Sequence, residues 1–137
     1  MADPKQALGE LLDSLGESVQ FATSGAVAPV LPGLDVKGVG SIVDTGYFLT
    51  PDPYVDMARV LPFGVNWQIK EKLGTAPGSP RVDLRRVARI IKDGGYRGYV
   101  PIETLASKTE KDDYDPRVRS TALLKQLRAA LEEAQLI

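Results

Sequence analysis

From residue 40 onward, short apolar runs alternate with helical patterns, and this order limits the folds open to the chain more than any other feature. The predicted strands cover residues 41–44, 65–70 and 99–103. A helix follows each strand, beginning at Pro53, after Asp83 and near Pro116. Strands that are separated by helices need crossover connections, which are right-handed and make the strands parallel. The sequence therefore predicts an α/β fold with three consecutive βα units.

The first 37 residues follow a different pattern. Asp3 can cap a helix in which leucines between residues 8 and 15 recur on one face. Residues 19–30 are rich in small and β-branched side chains, which predicts one or two extra short strands. The expected organisation is therefore an N-terminal helix and strand/turn segment over residues 1–37, followed by a βαβαβα region over residues 38–137.

The chain contains no cysteine and no histidine. Disulfides, thiolate nucleophiles and cysteine-based zinc sites are therefore excluded, and so is the imidazole base on which most hydrolytic triads depend. Any metal would have to be held by carboxylate and amide oxygens, which suit magnesium, manganese or calcium better than zinc or copper. Carboxylates and lysines are left as the candidate chemical groups.

Charge and hydropathy argue against two classes of partner. Lysine and arginine number 17 against 18 acidic residues, so the net charge is -1 and no basic surface is expected for nucleic acid or anionic lipid. No apolar run approaches the about 20 residues of a membrane helix, and the N-terminus does not read as a signal peptide. We therefore expect a cytoplasmic protein that binds neither nucleic acid nor membrane.

Polar residues stand at the C-terminal ends of the three predicted strands. Asp44, Gln68 and Glu103 end one strand each, and Asn66 and Lys70 share a side of the second strand with Gln68. In βα architectures the carboxyl ends of parallel strands line the ligand crevice, so these groups predict a site for a hard metal and a polyol. The structural alternative is that polar residues stand there simply because loops begin there.

The segments VGSIVDTGYFLTPDPYVDMARVLPFGVNWQIKEKL and VDLRRVARIIKDGGYRGYVPIETL carry a resemblance to a known family. They resemble the C-terminal part of the sugar phosphate isomerase/epimerase family, the xylose isomerase-like TIM barrels, over residues 38–136. The shared features are a strand ending in Asp-Thr-Gly-Tyr, a strand ending in Gln-x-Lys, and a Gly-Tyr-Arg-Gly-Tyr segment before a strand that ends in Glu. The resemblance implies three consecutive βα units of a partial or half TIM barrel.

The resemblance also implies roles for individual residues. Asp44 and Glu103 match carboxylates that hold a divalent metal, manganese or magnesium, and Gln68 falls where many members have a metal-ligating histidine. Glu103 further matches a residue that moves protons at the sugar carbon. Lys70 and Asn66 are the predicted substrate-binding residues. Two carboxylates held close together repel each other, so their double replacement by Asn and Gln is expected to stabilise the metal-free fold.

A complete barrel of this type takes about 250 residues and eight strands, and the chain has 137 residues. Two functions stay open on the sequence. The first is a metal-assisted proton transfer on a sugar or sugar phosphate, as in the isomerases and epimerases. The second is a non-catalytic half barrel that serves as a binding or assembly module. Because open sheet edges need partners, four strands from each of two chains are predicted to make a homodimer.

Overall fold

The computed structural model describes residues 19–22, 39–74, 76, 78–106 and 114–137. These residues form four strands and three α-helices. In chain order the elements are β1 (Val19–Ala22), β2 (Val39–Asp44), α1 (Pro53–Val60), a 3₁₀ turn (Leu61–Phe63), β3 (Gly64–Lys70), α2 (Leu84–Asp93), β4 (Ile102–Glu103) and α3 (Pro116–Glu133). The helix predicted over residues 3–15 lies outside the described residues.

The strands form one sheet in the order β1-β2-β3-β4, and every neighbouring pair is parallel. This confirms the predicted α/β fold, and β1 is the additional strand expected within residues 19–30. The strand predicted over residues 99–103 is reduced to β4, which has two residues. Pro101 has no N–H to give to a ladder, and the Tyr99 carbonyl accepts a hydrogen bond from the Tyr96 hydroxyl at 2.9 Å.

Each helix begins at an aspartate that the sequence places directly before it. The Asp52, Asp83 and Asp115 carboxylates accept hydrogen bonds from the first-turn backbone N–H groups of α1, α2 and α3. The α2 helix ends where Gly95 takes a φ of 65°, a left-handed conformation that glycine adopts without steric cost. Within the described residues, no helix is long and apolar enough to cross a membrane.

The hydrophobic core lies between the sheet and the three helices. Val43, Trp67 and Ile69 are fully buried on the sheet and belong to one cluster with helix residues from α1, α2 and α3, namely Met57, Val60, Val87, Ile91 and Leu127. The alternation along β3 places Gln68 and Lys70 on the side opposite Trp67 and Ile69. Trp67 therefore packs against the helices, and the opposite face of the sheet carries polar groups at the strand ends.

Candidate functional site

The candidate site lies at the carboxyl ends of β2, β3 and β4. Asp44 is in register with Gln68, and Lys70 is in register with Glu103. Paired residues of parallel neighbours point to the same face, and Gln68 and Lys70 are two positions apart on one strand. The register therefore brings four of the five predicted site residues to one edge and one face of the sheet.

A lysine ammonium lies between the two predicted metal carboxylates. Lys70 Nζ is 3.3 Å from Asp44 Oδ2 and 3.1 Å from Glu103 Oε2. Gln68 Nε2 also donates a hydrogen bond to Glu103 Oε2. The exposed fraction of the side chain is 2% for Asp44, 11% for Lys70 and 31% for Glu103. The cluster is thus closed at Asp44 and open towards solvent at Glu103.

Gly46 leaves space for the Lys70 side chain and fixes the orientation of the Asp44 carboxylate. Its N–H donates a hydrogen bond of 2.9 Å to Asp44 Oδ1, which leaves Asp44 Oδ2 directed at Lys70. A Cβ at position 46 would lie 2.6 Å from Lys70 Cδ and 3.3 Å from Asp44 Oδ1. Any larger residue at this position would push the lysine side chain away from where it lies.

Thr45 ties the ends of β2 and β3 together, and the sequence analysis assigned it no role. It is fully buried, its N–H donates to the Gln68 carbonyl at 3.0 Å, and its hydroxyl accepts the Lys70 backbone N–H at 2.9 Å. Tyr47 follows in the same turn, with its ring centre 4.6 Å from Lys70 Nζ. Because Tyr47 is 44% exposed, it forms part of the solvent side of the cluster. The sequence signal for Thr45 and Tyr47 was the Asp-Thr-Gly-Tyr motif, which contains both residues.

Asn66 is the predicted site residue that stands apart from the others. It is in register with Ile42, two residues before the pair formed by Asp44 and Gln68. Its side-chain oxygen accepts a hydrogen bond of 3.0 Å from the Trp67 backbone N–H. The side chain is therefore engaged with its own strand, and its predicted contact with substrate stays a prediction.

A second ion pair holds α3 against the loop after β3. Arg119 donates from Nε and Nη2 to the two carboxylate oxygens of Glu71, at 2.9 and 2.8 Å. The Glu71 side chain is only 9% exposed, and Arg81 Nη2 also lies 3.7 Å from Glu71 Oε1. Two parallel charge-assisted hydrogen bonds fix orientation as well as distance. This pair steadies the chain directly after Lys70.

Burial and charge shift the titration of the cluster. Burial raises the pKa of the Asp44 carboxyl above its ordinary value of 3.8, against the Gly46 hydrogen bond and the Lys70 charge. For Lys70, burial lowers the pKa, but hydrogen bonds and charge attraction from Glu103 and Asp44 together outweigh burial and raise the pKa above 10.5. The stabilisation that Lys70 gains is therefore complete below pH 10.5 and is lost as the pH rises through its folded pKa.

The raised pKa of Asp44 works in the same direction. Its folded-state pKa lies above 3.8, so its contribution to stability is present below that pH and is lost as the pH rises through the folded pKa. Burial therefore makes the ionised form of Asp44 less favourable in the folded state than in the unfolded state, and the ammonium of Lys70 limits this cost. The pair is a buried charge with a partner, which is the condition under which buried ions persist.

The oxygen donors suit a divalent metal in kind. Two carboxylates and one amide oxygen are hard ligands of the type that magnesium and manganese accept. Within the described residues, no group of three or more histidine, cysteine, aspartate or glutamate side chains could hold a metal ion. The ammonium of Lys70 lies between Asp44 and Glu103, so one oxygen of each carboxylate faces a cation of the protein itself.

Comparison with protein families and curated proteins gives no relative from which a role could be transferred. No protein-family model matches the chain, and no curated protein matches it. The site is therefore described by its own geometry alone. That geometry brings together Asp44, Gln68, Lys70 and Glu103, adds Thr45, Gly46 and Tyr47, and turns Asn66 towards its own strand.

Proposed function

We propose that the cluster formed by Asp44, Gln68, Lys70 and Glu103 binds a sugar or sugar phosphate for metal-assisted proton transfer of the isomerase/epimerase type. The observation that carries the proposal is the convergence of these four side chains at the carboxyl ends of three consecutive parallel strands. In barrel folds and open α/β sheets, ligands bind at this edge. Under this proposal the chain is part of a TIM barrel.

The net charge of the cluster favours the binding of a divalent cation. Two carboxylates and one ammonium leave one excess negative charge, which attracts cations and repels a phosphate. A divalent ion would reverse the sign, so that an anionic sugar phosphate is attracted to the site. When bound, such an ion polarises substrate oxygens and stabilises the charge that develops on them.

Exposure separates the roles of the residues. Glu103 is the carboxylate with access to solvent, and it is suited to remove a proton from the carbon next to a carbonyl and to return that proton. Asp44 is closed off and holds its orientation through Gly46. The three ammonium hydrogens of Lys70 can donate to a hydroxyl or phosphate oxygen of the ligand. If one base both removes the proton and returns a proton, the hydrogen on that substrate carbon exchanges with hydrogen from the solvent.

Deuterium exchange tests the proposal. Wild-type protein with saturating Mn²⁺ and a panel of pentose and hexose phosphates in D₂O is expected to place deuterium at the carbon next to the carbonyl, measured by mass spectrometry. Glu103→Gln removes the base and is expected to slow exchange by about 100-fold or more. The matched control is Glu132→Gln, an exposed position on α3, which should exchange at the wild-type rate.

Binding is measured separately by NMR titration of the wild-type and Glu103→Gln proteins with the same sugar phosphates. We expect both proteins to bind, because the change removes a charge and keeps the shape of the side chain. No binding of any sugar or sugar phosphate to the wild type, with or without Mn²⁺, would contradict the proposed ligand class.

A second candidate function is a non-catalytic binding or assembly module. The observation that favours it is that Lys70 already pairs with both carboxylates, with Asp44 almost completely buried. Such an arrangement also serves simply to join the ends of β2, β3 and β4. Ligand binding without any deuterium exchange in the wild type would select this function over proton transfer.

We also propose that the chain forms a homodimer through its sheet edges. Among the described strands, β4 is the end of the sheet and has only β3 beside it. Two exposed apolar side chains flank it, since Tyr99 is 88% and Leu105 is 54% exposed. An open strand edge with apolar neighbours is a template for association. Four strands from each of two copies would equal the eight strands of a closed barrel.

Light scattering coupled to size exclusion tests the dimer. The wild type is expected to show twice the mass of one chain at micromolar concentration. Leu105→Glu places a charge beside β4 and is expected to yield a monomer, because a buried unpaired charge opposes association. Val118→Glu is the control on α3, where Val118 is 63% exposed, and should leave the dimer intact. A folded wild-type monomer at this concentration would defeat the proposal.

A further inference from the structure

The Asp44–Glu103 pair already holds a cation, and that cation belongs to the protein. Lys70 Nζ is within 3.3 Å of both carboxylates and 4.6 Å from the centre of the Tyr47 ring. Two carboxylates and an aromatic face form an environment that stabilises positive charge. In the structure the position between the two carboxylates is thus occupied by the ammonium of Lys70.

We infer that Lys70 and a divalent cation compete for the Asp44–Glu103 pair, so that Lys70 is an internal competitor that must move away before the metal binds. The inference rests on the proposed function and deepens it by naming the residue that sets metal affinity. An ammonium group and a divalent ion repel each other, and both need the same carboxylate oxygens. The two cannot be bound by this pair at the same time without a large loss of affinity.

The position of Lys70 depends on a neighbour that can be changed without altering any charge. Gly46 leaves the room that the lysine stem occupies, since a Cβ there would lie 2.6 Å from Lys70 Cδ. The far end of a lysine is flexible and can be displaced at small cost. Gly46 does not have a positive φ, so alanine is compatible with its backbone. Gly46→Ala should therefore move Lys70 and keep the number of charges constant.

Displacement of Lys70 also links the two roles that the sequence predicts for the cluster, metal binding and substrate binding. While Lys70 pairs with Asp44 and Glu103, most of the hydrogen-bonding capacity of the ammonium is used within the cluster. When a divalent ion takes the carboxylates, the ammonium is released and can donate to a substrate oxygen. Metal binding would thereby prepare the lysine for the sugar phosphate, and the two events would be coupled.

The test measures Mn²⁺ affinity without any sugar, by the EPR signal of the free ion. Lys70→Met removes the competing charge and is expected to bind Mn²⁺ at least about tenfold more tightly than the wild type. Gly46→Ala should bind more tightly by a smaller factor, and it decides the matter if Lys70→Met does not fold. The exposed residue Lys125 provides the charge-matched control, because Lys125→Met should bind Mn²⁺ as the wild type does.

The location of the ion is tested in the variants that bind it more tightly. Adding Asp44→Asn to Lys70→Met or to Gly46→Ala is expected to abolish the gain in affinity. The inference is overturned if Lys70→Met and Gly46→Ala bind Mn²⁺ no more tightly than the wild type, or if Asp44→Asn leaves the gain unchanged. These outcomes are independent of sugar phosphate binding, so a failure here is distinguishable from a failure of the proposed ligand class.

Discussion

Replacement of Lys70 by methionine is expected to lower the free energy of unfolding by about 3–5 kcal/mol. The change keeps most of the aliphatic stem and removes the ammonium, which leaves Asp44, 2% exposed, and Glu103 as neighbouring carboxylates without their partner. An uncompensated buried charge is among the few causes of so large an effect. Urea unfolding at neutral pH, followed by circular dichroism, measures it.

Two further variants separate this effect from a general loss of surface charge. Lys125→Met changes the net charge equally at an exposed position and should alter stability by no more than about 0.5 kcal/mol. Combining Lys70→Met with Asp44→Asn should recover part of the loss, because the most buried carboxylate is then neutral. A loss of less than about 1 kcal/mol for Lys70→Met would show that the ion pair contributes little to folding, as surface pairs do.

Replacement of Trp67 by alanine is expected to cost about 3–5 kcal/mol of folding free energy. Trp67 is fully buried at the centre of the core, where it meets Tyr96 edge to face with ring centres 6.4 Å apart. The change removes apolar surface and leaves a cavity that the surrounding strand and helices can fill only in part. Thermal and urea unfolding of the variant measure the loss.

Trp67→Phe is the matched control for the alanine variant. The indole Nε1 of Trp67 is buried and has no hydrogen-bond partner among the described residues. A phenyl ring keeps much of the apolar contact and removes a buried donor, whose unsatisfied burial is itself costly. We expect the phenylalanine variant to lose clearly less stability than the alanine variant. Equal losses in the two variants would contradict this expectation.

The structure reverses the expected effect on stability of replacing both carboxylates. From the sequence, Asp44 and Glu103 are two like charges whose removal should stabilise the metal-free fold. In the structure Lys70 lies between them, so Asp44→Asn together with Glu103→Gln leaves a largely buried ammonium without an opposite charge beside it. The double change is then expected to destabilise the fold, because the lysine loses both of its ion pairs.

Local patterns were sufficient to predict most of the elements. The aspartates before α1 and α2 gave the helix starts, and the glycine pair after α2 gave its end. The third strand was predicted too long: the sequence shows that Pro101 lacks an N–H, whereas only the structure shows that the Tyr99 carbonyl accepts a hydrogen bond from the Tyr96 hydroxyl. Strand ends depend on which backbone groups find a partner, and strand propensity alone does not settle that.

The sequence by itself determined the α/β alternation, the parallel sheet and the set of polar residues at the strand ends, because these follow from periodicity, caps and crossover geometry. Only the tertiary structure decided that Lys70 pairs with both carboxylates, that Gly46 leaves space for the lysine side chain, and that Thr45 joins two strands. Contacts of about 3 Å depend on the register between strands and on side-chain conformation. Neither is encoded in a local pattern, so the charge balance of the site became visible only in the folded chain.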